Sequence, residues 1–182
     1  MAFDDRIRAA LDRALADVRA AVQAEVDEVR QVSERASADL RDSAARLADC
    51  VHAIDAAPTL GGVLTVVSGY ARLEAGRAAV ILVKDGAVST YPFRDEVPAA
   101  EARLARDAAT QRRAVIDIDG AAFPIAVGGD VVAVVCTAPP SSPQMRTGLD
   151  LLSRHAGCVL EAMTIRQITG LAPLAVAGDP RA

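Results

Sequence analysis

The side chains that could carry out chemistry in this 182-residue chain are few, and they are far apart in the sequence. His52 and His155 are the only histidines, and neither has a second histidine or a cysteine at the spacing of a metal site. The three cysteines, Cys50, Cys136 and Cys158, form no CxxC motif. We therefore predict packing or surface roles for the histidines, and we expect no metal and no cofactor.

Three aspartates near predicted strand ends are the other candidates for chemistry. Paired carboxylates can transfer protons or bind a hard cation, and Asp117, Asp119 and Asp130 are close enough in sequence to raise that possibility. However, Asp119 precedes Gly120, and Asp130 follows Gly128-Gly129. Because aspartate and glycine together are typical of tight turns, we favour turn formation over a catalytic or cation site.

Composition excludes several classes of protein. The chain has 20 basic and 24 acidic residues, a net charge of −4, which disfavours a nucleic-acid binder because such proteins carry a basic patch. It is 52% hydrophobic but 3% aromatic, and alanine makes up about a fifth of it. This content of apolar residues excludes an intrinsically disordered chain. The acidic excess lies in residues 1–57, which hold 12 acidic residues and 8 arginines.

Features that direct a chain to a membrane are missing from the sequence. No apolar run reaches the roughly 18 residues that span a bilayer, and the first residues lack the cationic and then apolar pattern of a signal peptide. Three separated cysteines fit reduced thiols. We therefore expect a cytoplasmic protein with no membrane partner.

Residues 1–56 are predicted to form one long helix. Residues 3–57 contain neither glycine nor proline, and larger apolar side chains recur every three or four positions. The stripe predicts a coiled coil with a second copy of the chain. A lone helical arm, or two helices broken near Ser33–Ser37, is the alternative. The residues expected at the dimer interface are Leu11, Leu15, Val18, Val22, Val29, Val32, Leu40 and Leu47.

Residues 57–169 are predicted to form a separate domain, followed by a flexible tail over 170–182. Thr59 is a candidate N-cap for a helix. Apolar and alternating segments then predict a two-stranded hairpin, a helix, a strand, a second hairpin and a closing helix. Because hairpins join antiparallel strands, we expect an α+β fold with a central antiparallel sheet of about five strands flanked by helices.

Four segments of this domain resemble a GAF domain, a small-molecule sensory module related to PAS domains. They correspond to the first helix, the first hairpin, the proline-bearing strand with its glycine turn, and the closing helix of that family. The segments are Ala57–Leu73, Ala78–Ala87, Ala122–Val135 and Leu149–Met163. The resemblance implies a GAF-like or PAS-like sheet and a role in signal transduction.

The chain departs from the GAF pattern at one point. GAF domains usually have a longer stretch between the middle strand and the proline-bearing strand, and it helps to wall the ligand pocket. Here Asp119 and Gly120 alone separate Ile118 from Ala121. This shortening argues against a large ligand pocket. The bilin-attaching cysteine and the phosphate-contacting motif of some family members are not recognisable either.

The resemblance implies a ligand site between the sheet and the helix predicted over 98–111. Its expected lining residues are Tyr91, Phe93, Leu104, Phe123 and Ile125. Filling of the core by the same side chains is the competing interpretation. We predict a non-catalytic signalling module that forms a homodimer through its N-terminal helix, with the closing helix adding to the interface. It is expected to bind a small molecule or a partner signalling protein. The alternative is a structural or adaptor coiled-coil protein whose domain has no ligand. A redox enzyme using Cys136 is the third and least favoured hypothesis.

Overall fold

A computed structural model describes residues 2–92, 96–139 and 142–170, with side chains described from Val18 onward. The chain divides into two compact units, residues 1–45 and residues 46–182. The first unit consists of helix α1, which spans Ala2–Ala56 and continues into the second unit. Helix α1 runs unbroken through Ser33 and Ser37, so the two-helix alternative is wrong.

Helix α2 spans Leu60–Ala75 and begins where the sequence places its cap. The Thr59 side-chain oxygen accepts a hydrogen bond from the backbone N–H of Gly62 at 3.1 Å. This bond satisfies a donor that the first helical turn would otherwise leave unpaired. Gly76 ends the helix with a positive φ of 67°, a conformation that glycine adopts without steric cost.

The five strands form a single antiparallel sheet. In chain order they are β1 (Ala78–Lys84), β2 (Ala87–Tyr91), β3 (Val115–Asp117), β4 (Gly120–Val127) and β5 (Asp130–Thr137). Their order across the sheet is β2-β1-β5-β4-β3, and each neighbouring pair is antiparallel. Two hairpins, β1–β2 and β4–β5, therefore meet along the central β1–β5 pair. The α+β fold with five antiparallel strands is confirmed.

Helices α3 (Ala99–Gln111) and α4 (Pro143–Thr169) complete the domain. The Ser142 hydroxyl caps α4 by accepting a hydrogen bond from the Met145 N–H at 3.1 Å, and Pro143 occupies the first turn, where no donor is needed. Gly170 ends α4 in the left-handed conformation. These caps fix both ends of the helix that closes the domain.

The two faces of the sheet are covered differently. One face packs against α2, α4 and the last turns of α1, and its core includes Ile54, Phe123 and Leu149. Among the described helices, α3 is the one that packs against the other face, with Leu104 and Val134 at its centre. Alternate residues of β4 and β5 point into the two cores, as the pleat of a strand requires. We refer to these as the helical face and the α3 face.

Candidate functional site

The residues predicted to bind a ligand do not share a cavity. Phe123 and Ile125 are fully buried on the helical face, whereas Leu104 is buried on the α3 face. Tyr91 is partly buried at the edge of the helical face. Phe93 lies outside the described residues. Since the sheet separates the two faces, no single ligand can touch Leu104 and Phe123 from one side. Ligand binding by this set remains a prediction.

Tyr91 has a clear structural role. Its hydroxyl donates a hydrogen bond to the Gly61 carbonyl at 2.9 Å and lies 3.1 Å from the Thr65 hydroxyl. The Thr65 hydroxyl in turn lies 2.8 Å from the Gly61 carbonyl. This cluster ties the end of β2 to the first turn of α2, so that the polar tip of the tyrosine is already satisfied within the fold.

Asp117 and Asp119 are held by one arginine that the sequence did not indicate. One guanidinium nitrogen of Arg103, on α3, lies 2.8 Å from Asp117 and 2.7 Å from Asp119. The hydrogen bond from Arg103 keeps the pKa of Asp117 below its usual range. The Asp119 N–H also donates to the Asp117 carboxylate at 3.3 Å. The two carboxylates thus serve a turn and an ion pair that joins α3 to β3, rather than forming a free acidic pair.

The remaining turn aspartate has a weaker partner. Asp130 opens β5 and lies 3.6 Å from the guanidinium of Arg112. Both side chains are largely exposed, so this ion pair contributes little to stability. Within the described part of the chain, no group of three or more histidine, cysteine or acidic side chains could hold a metal ion.

The two buried cysteines lie in different cores. Cys50 is on the helical face, where burial raises the pKa of its thiol to about 11. Cys136 is on the α3 face, where burial and the charge of Glu101 raise its pKa to about 12. Protonated thiols are poor nucleophiles, so neither site resembles the environment of a reactive cysteine. Cys158 is exposed on α4.

His155 joins two helices of the domain. Its Nε2 atom lies 2.8 Å from an Asp55 carboxylate oxygen, so a hydrogen bond connects α4 to the last turn of α1. A second link, from the Arg46 Nε to the Glu74 carboxylate at 2.7 Å, connects α1 to α2. The last turns of α1 are therefore fastened to both helices that flank them on the helical face.

A cleft of about 250 Å³ opens on the helical face, and we call it the apolar cleft. It lies between the start of α2, the β4–β5 hairpin and the C-terminal half of α4. Its lining residues are Pro58, Thr59, Leu60, Val127, Val132, Leu160, Met163, Thr164 and Gln167. The cleft is slightly smaller than the usual range of roughly 300–1,000 Å³ for ligand sites, and it is apolar with a few polar groups at its rim. The cleft could not be predicted from the sequence, because its lining residues come from three separate segments.

Two other depressions are more polar. One, of about 310 Å³, follows the edge of β4 beside α4 and includes Arg112, Arg113 and Arg154 together with Asp150 and Glu161. The other, of about 550 Å³, lies between the two hairpin turns and the end of α3, and it is wide open to solvent. Mixed charges and exposure make both weaker candidates for a small-molecule site than the apolar cleft.

The residues predicted for the dimer interface fall into three groups. Five are exposed on α1: Val18, Val22, Val29, Val32 and Leu40. Leu47 is partly buried against the core of the domain. Leu11 and Leu15 lie in α1, but their side chains are outside the described residues. The exposed members form an apolar face that the single chain leaves open to solvent.

Comparison with known proteins supports the architecture. No protein-family model matches the chain, and no curated protein matches its sequence. Solved structures do match the fold. The GAF domain of the potassium sensor histidine kinase KdpD from Escherichia coli aligns with a TM-score of 0.55 and 12% identity, over 70% of this chain and 99% of that one.

Two further structures show the same likeness. The GAF domain of a phosphoenolpyruvate-protein phosphotransferase from Coxiella burnetii has a TM-score of 0.56 and 12% identity, over 72% of this chain and 99% of that one. The bacteriophytochrome RpBphP3 from R. palustris has a TM-score of 0.54 and 10% identity, over 71% of this chain and 39% of that one.

Among the helices that the structure describes, none is both long enough and apolar enough to cross a membrane. The strand order, the covering helices and the match to three solved structures lead to the same result: the chain has a GAF-like fold.

Proposed function

We propose that this protein is a non-catalytic GAF-like signalling module that forms a homodimer through α1 and binds a small molecule or a partner protein in the cytoplasm. The observation that carries the proposal is the open apolar face of α1. Its members range from 52% exposed at Leu40 to 68% exposed at Val29. Helices in water derive most of their stability from packing an apolar face, so this stripe requires a partner.

A second copy of the chain is the partner that fits α1 most simply. Arginines and acidic residues flank the apolar stripe, and such flanking charges are typical of coiled coils. A face repeated on two identical helices can pair with itself around a two-fold axis. Paired helices would bury the valines that a single helix leaves in water.

The apolar cleft supports ligand binding as the sensory step. Solved structures with this fold include a domain of a sensor histidine kinase and a bacteriophytochrome, which is consistent with a sensory role. Leu160 and Met163 on α4 line the cleft, so a ligand there would contact the same helix that His155 fastens to α1. A ligand that preferred one position of α4 would shift the population of α1 positions in the dimer.

Sedimentation of the full chain tests the dimer. We expect a dimer at micromolar concentration, and we expect the double variant Val22→Glu/Val29→Glu to be a monomer because each charge would lie in the apolar interface. The matched control is Ala20→Glu/Ala24→Glu, which adds the same charge on the opposite side of α1 and should remain a dimer. A wild-type monomer, or an equal effect of both variants, would contradict the proposal.

Thermal unfolding in the presence of small molecules tests the sensory step. A ligand that binds the folded state raises the melting temperature according to its occupancy. We expect some members of a metabolite panel to stabilise the wild type, and we expect Met163→Glu to lose that response because it places a charge in the apolar cleft. The control Leu73→Glu changes an exposed α2 residue away from the cleft and should keep the response.

A structural or adaptor protein without a ligand is the second candidate function. The observation that favours it is the complete burial of Leu104, Phe123 and Ile125, which fill the cores on both faces of the sheet. A ligand could reach them only if the core opened. A dimer that responds to no metabolite, but captures a protein partner through α1 or α4, would favour this candidate over the sensor.

A further inference from the structure

The side chains that line the apolar cleft are uncharged, and most of them are apolar. Leu160 is buried in its deepest part, whereas Leu60 at its rim is 54% exposed. Val127 and Met163 are partly buried between these two depths. Apolar surface of this kind is left in contact with water, and a segment that covered it would be stabilised by the hydrophobic effect.

The chain leaves helix α4 beside this cleft. Gln167 lines the cleft and lies three residues before Gly170, where α4 ends in the left-handed conformation with a φ of 64°. A glycine in this conformation commonly redirects the chain at the end of a helix. Because a helix rises only about 1.5 Å per residue, the chain beyond Gly170 begins about 5 Å from the cleft along the helix axis.

The sequence after Gly170 is suited to cover an apolar cleft. Residues 171–177 read Leu-Ala-Pro-Leu-Ala-Val-Ala and hold no charge, although 24% of the whole chain is charged. We call them the apolar segment, and they lie outside the described residues. Proline disfavours a helical conformation at the residue that precedes it. Pro173 therefore favours an extended course for this part of the chain.

An extended chain from Gly170 is long enough to reach along the cleft. Four extended residues span roughly 13 Å, which is the reach of Leu174. Met163 lies seven residues back along α4, a distance of about 11 Å. Val176 can reach roughly 20 Å, and Leu160 lies about 15 Å back along α4. A segment that runs back beside α4 can therefore place its larger side chains in the cleft.

Two further observations favour this segment over other occupants. The cleft volume of about 250 Å³ lies below the roughly 300–1,000 Å³ of usual small-molecule sites, so it suits side chains of a peptide. A segment attached at the rim is also present at a high effective concentration, which is in the millimolar range for short tethers. A free molecule would have to compete with it.

We infer that the apolar segment folds back along α4 and places Leu174 in the apolar cleft, against Met163. This docking goes beyond the proposed function because it needs no ligand. Its consequence for sensing rests on the proposed function: a ligand of the cleft would have to displace the segment. The apparent affinity of that ligand would fall in proportion to the fraction of molecules whose cleft is open.

Disulfide formation within the full chain tests the contact. The background variant Cys158→Ser removes the exposed native thiol, and the other two native cysteines are buried. In this background, Met163→Cys/Leu174→Cys places two thiols at the proposed contact. The matched control is Glu161→Cys/Leu174→Cys, because Glu161 lies on the opposite side of α4, in the depression beside β4.

Under mild oxidation, we expect the pair at positions 163 and 174 to form a disulfide within one chain about tenfold faster than the control pair, because docking raises the local concentration of the two thiols. Non-reducing gels and peptide mass spectrometry measure the product. Equal rates for the two pairs would overturn the inference. A covalent dimer from the first pair would also overturn it, since the occupant would then be the segment of a second copy.

A double-mutant cycle tests the packing without added thiols. We expect Met163→Ala and Leu174→Ala each to lower the melting temperature by about 2–4 °C, and the double variant to lose less than the sum, because the two side chains share one contact. The control partner is Val67→Ala, since Val67 is fully buried on α2 and does not line the cleft. Its effect should add to that of Leu174→Ala. Additive effects of the substitutions at 163 and 174 would overturn the inference.

The outcomes separate docking of the segment from the proposed function. A preferred disulfide between positions 163 and 174, in a chain that responds to no metabolite, would support docking and overturn the sensory step. Equal disulfide rates, in a chain whose metabolite response is lost in Met163→Glu, would overturn docking and leave the ligand site intact.

Discussion

Two parts of helix α1 carry the same apolar spacing but have different surroundings. Between Val18 and Leu40 the apolar side chains are exposed, with Val29 at 68%. In the last turns, Cys50 and Ile54 are buried in the core of the helical face, and Ile54 is fully inaccessible. A 3.6-residue pattern of apolar side chains therefore locates the apolar face of a helix but does not identify what covers that face.

The largest expected effect comes from truncating the packed part of α1. Ile54→Ala removes a fully buried side chain and should lower the free energy of unfolding by about 2–5 kcal/mol, through lost burial and a residual cavity. The exposed counterpart Val29→Ala should change it by less than about 0.5 kcal/mol at concentrations where the chain is a monomer. Denaturant unfolding measures both. Equal losses would mean that the two parts of α1 are packed alike.

Two glycines on different helices allow the same comparison between a packed and an open helix surface. A Cβ atom at Gly157, on α4, would collide with the Ala126 carbonyl oxygen, so the helix can approach the end of β4 because this residue is glycine. We expect Gly157→Ala to lower the free energy of unfolding by about 1–3 kcal/mol.

The control for this prediction is a glycine with free space around it. A Cβ atom at Gly69, on α2, would meet nothing within 4 Å. Gly69→Ala should therefore raise the stability by about 0.5–1 kcal/mol, since alanine favours the helix. Calorimetric melting of the two variants would contradict this account if their melting temperatures moved in the same direction.

The cysteines extend the comparison to reactivity and pH. Burial raises the pKa of Cys50 to about 11, from 9.0 for a free thiol. Because the folded-state pKa is raised, the Cys50 thiol loses its proton at a lower pH in the unfolded chain than in the folded chain. The free energy of unfolding should therefore decline as the pH rises above about 9. We expect this decline to be smaller in Cys50→Ala than in the wild type. Urea unfolding at pH 8 and pH 10 measures the difference, and an identical decline would contradict it.

Thiol labelling provides a direct measure of the same contrast. At pH 8 in native buffer, we expect one cysteine, Cys158, to react rapidly and the two buried thiols to react only after unfolding. Counting modified thiols by mass spectrometry gives the result. Rapid modification of Cys136 would show that the α3 face opens on the timescale of labelling.

The smallest expected effect concerns the exposed ion pair of Arg103. Because the pKa of Asp117 is lowered by its hydrogen bond to Arg103, its contribution to stability is present above the usual aspartate pKa and is lost as the pH falls through the folded-state value. Asp117→Asn should therefore be slightly less stable than the wild type at pH 7, and the difference should become smaller in acid. Unfolding curves at pH 7 and pH 2.5 check the direction.

Much of the fold could be predicted because local patterns agree with tertiary packing. Thr59 is a capping residue both in the sequence and in the structure. Asp85-Gly86 and Gly128-Gly129 predict hairpin turns, and both hairpins form where they indicate. The sequence around Ser33 and Ser37 has few large apolar side chains, so it fits either a continuous helix or a break. The structure shows a continuous helix there.

The candidate site could not be predicted in the same way. The predicted lining residues come from β2, α3 and β4, and periodicity within each segment does not show which face of the sheet each helix will cover. In the structure α3 packs on the face of the sheet opposite Phe123, so Leu104 is separated from Phe123. The pairing of Arg103 with Asp117 and Asp119 could not be predicted either, because the two aspartates lie 14 and 16 residues beyond Arg103 in the sequence.

Local sequence pattern was enough to predict the order of helices and strands, the apolar stripe of α1, and the resemblance to a GAF domain. These depend on short-range periodicity and turn chemistry, which each segment carries independently. Three-dimensional packing sets which face of the sheet receives each helix, where the apolar cleft opens, and which aspartates are paired. Such properties arise when distant segments come together, and hydrophobic burial is not directional enough to specify them from local pattern alone.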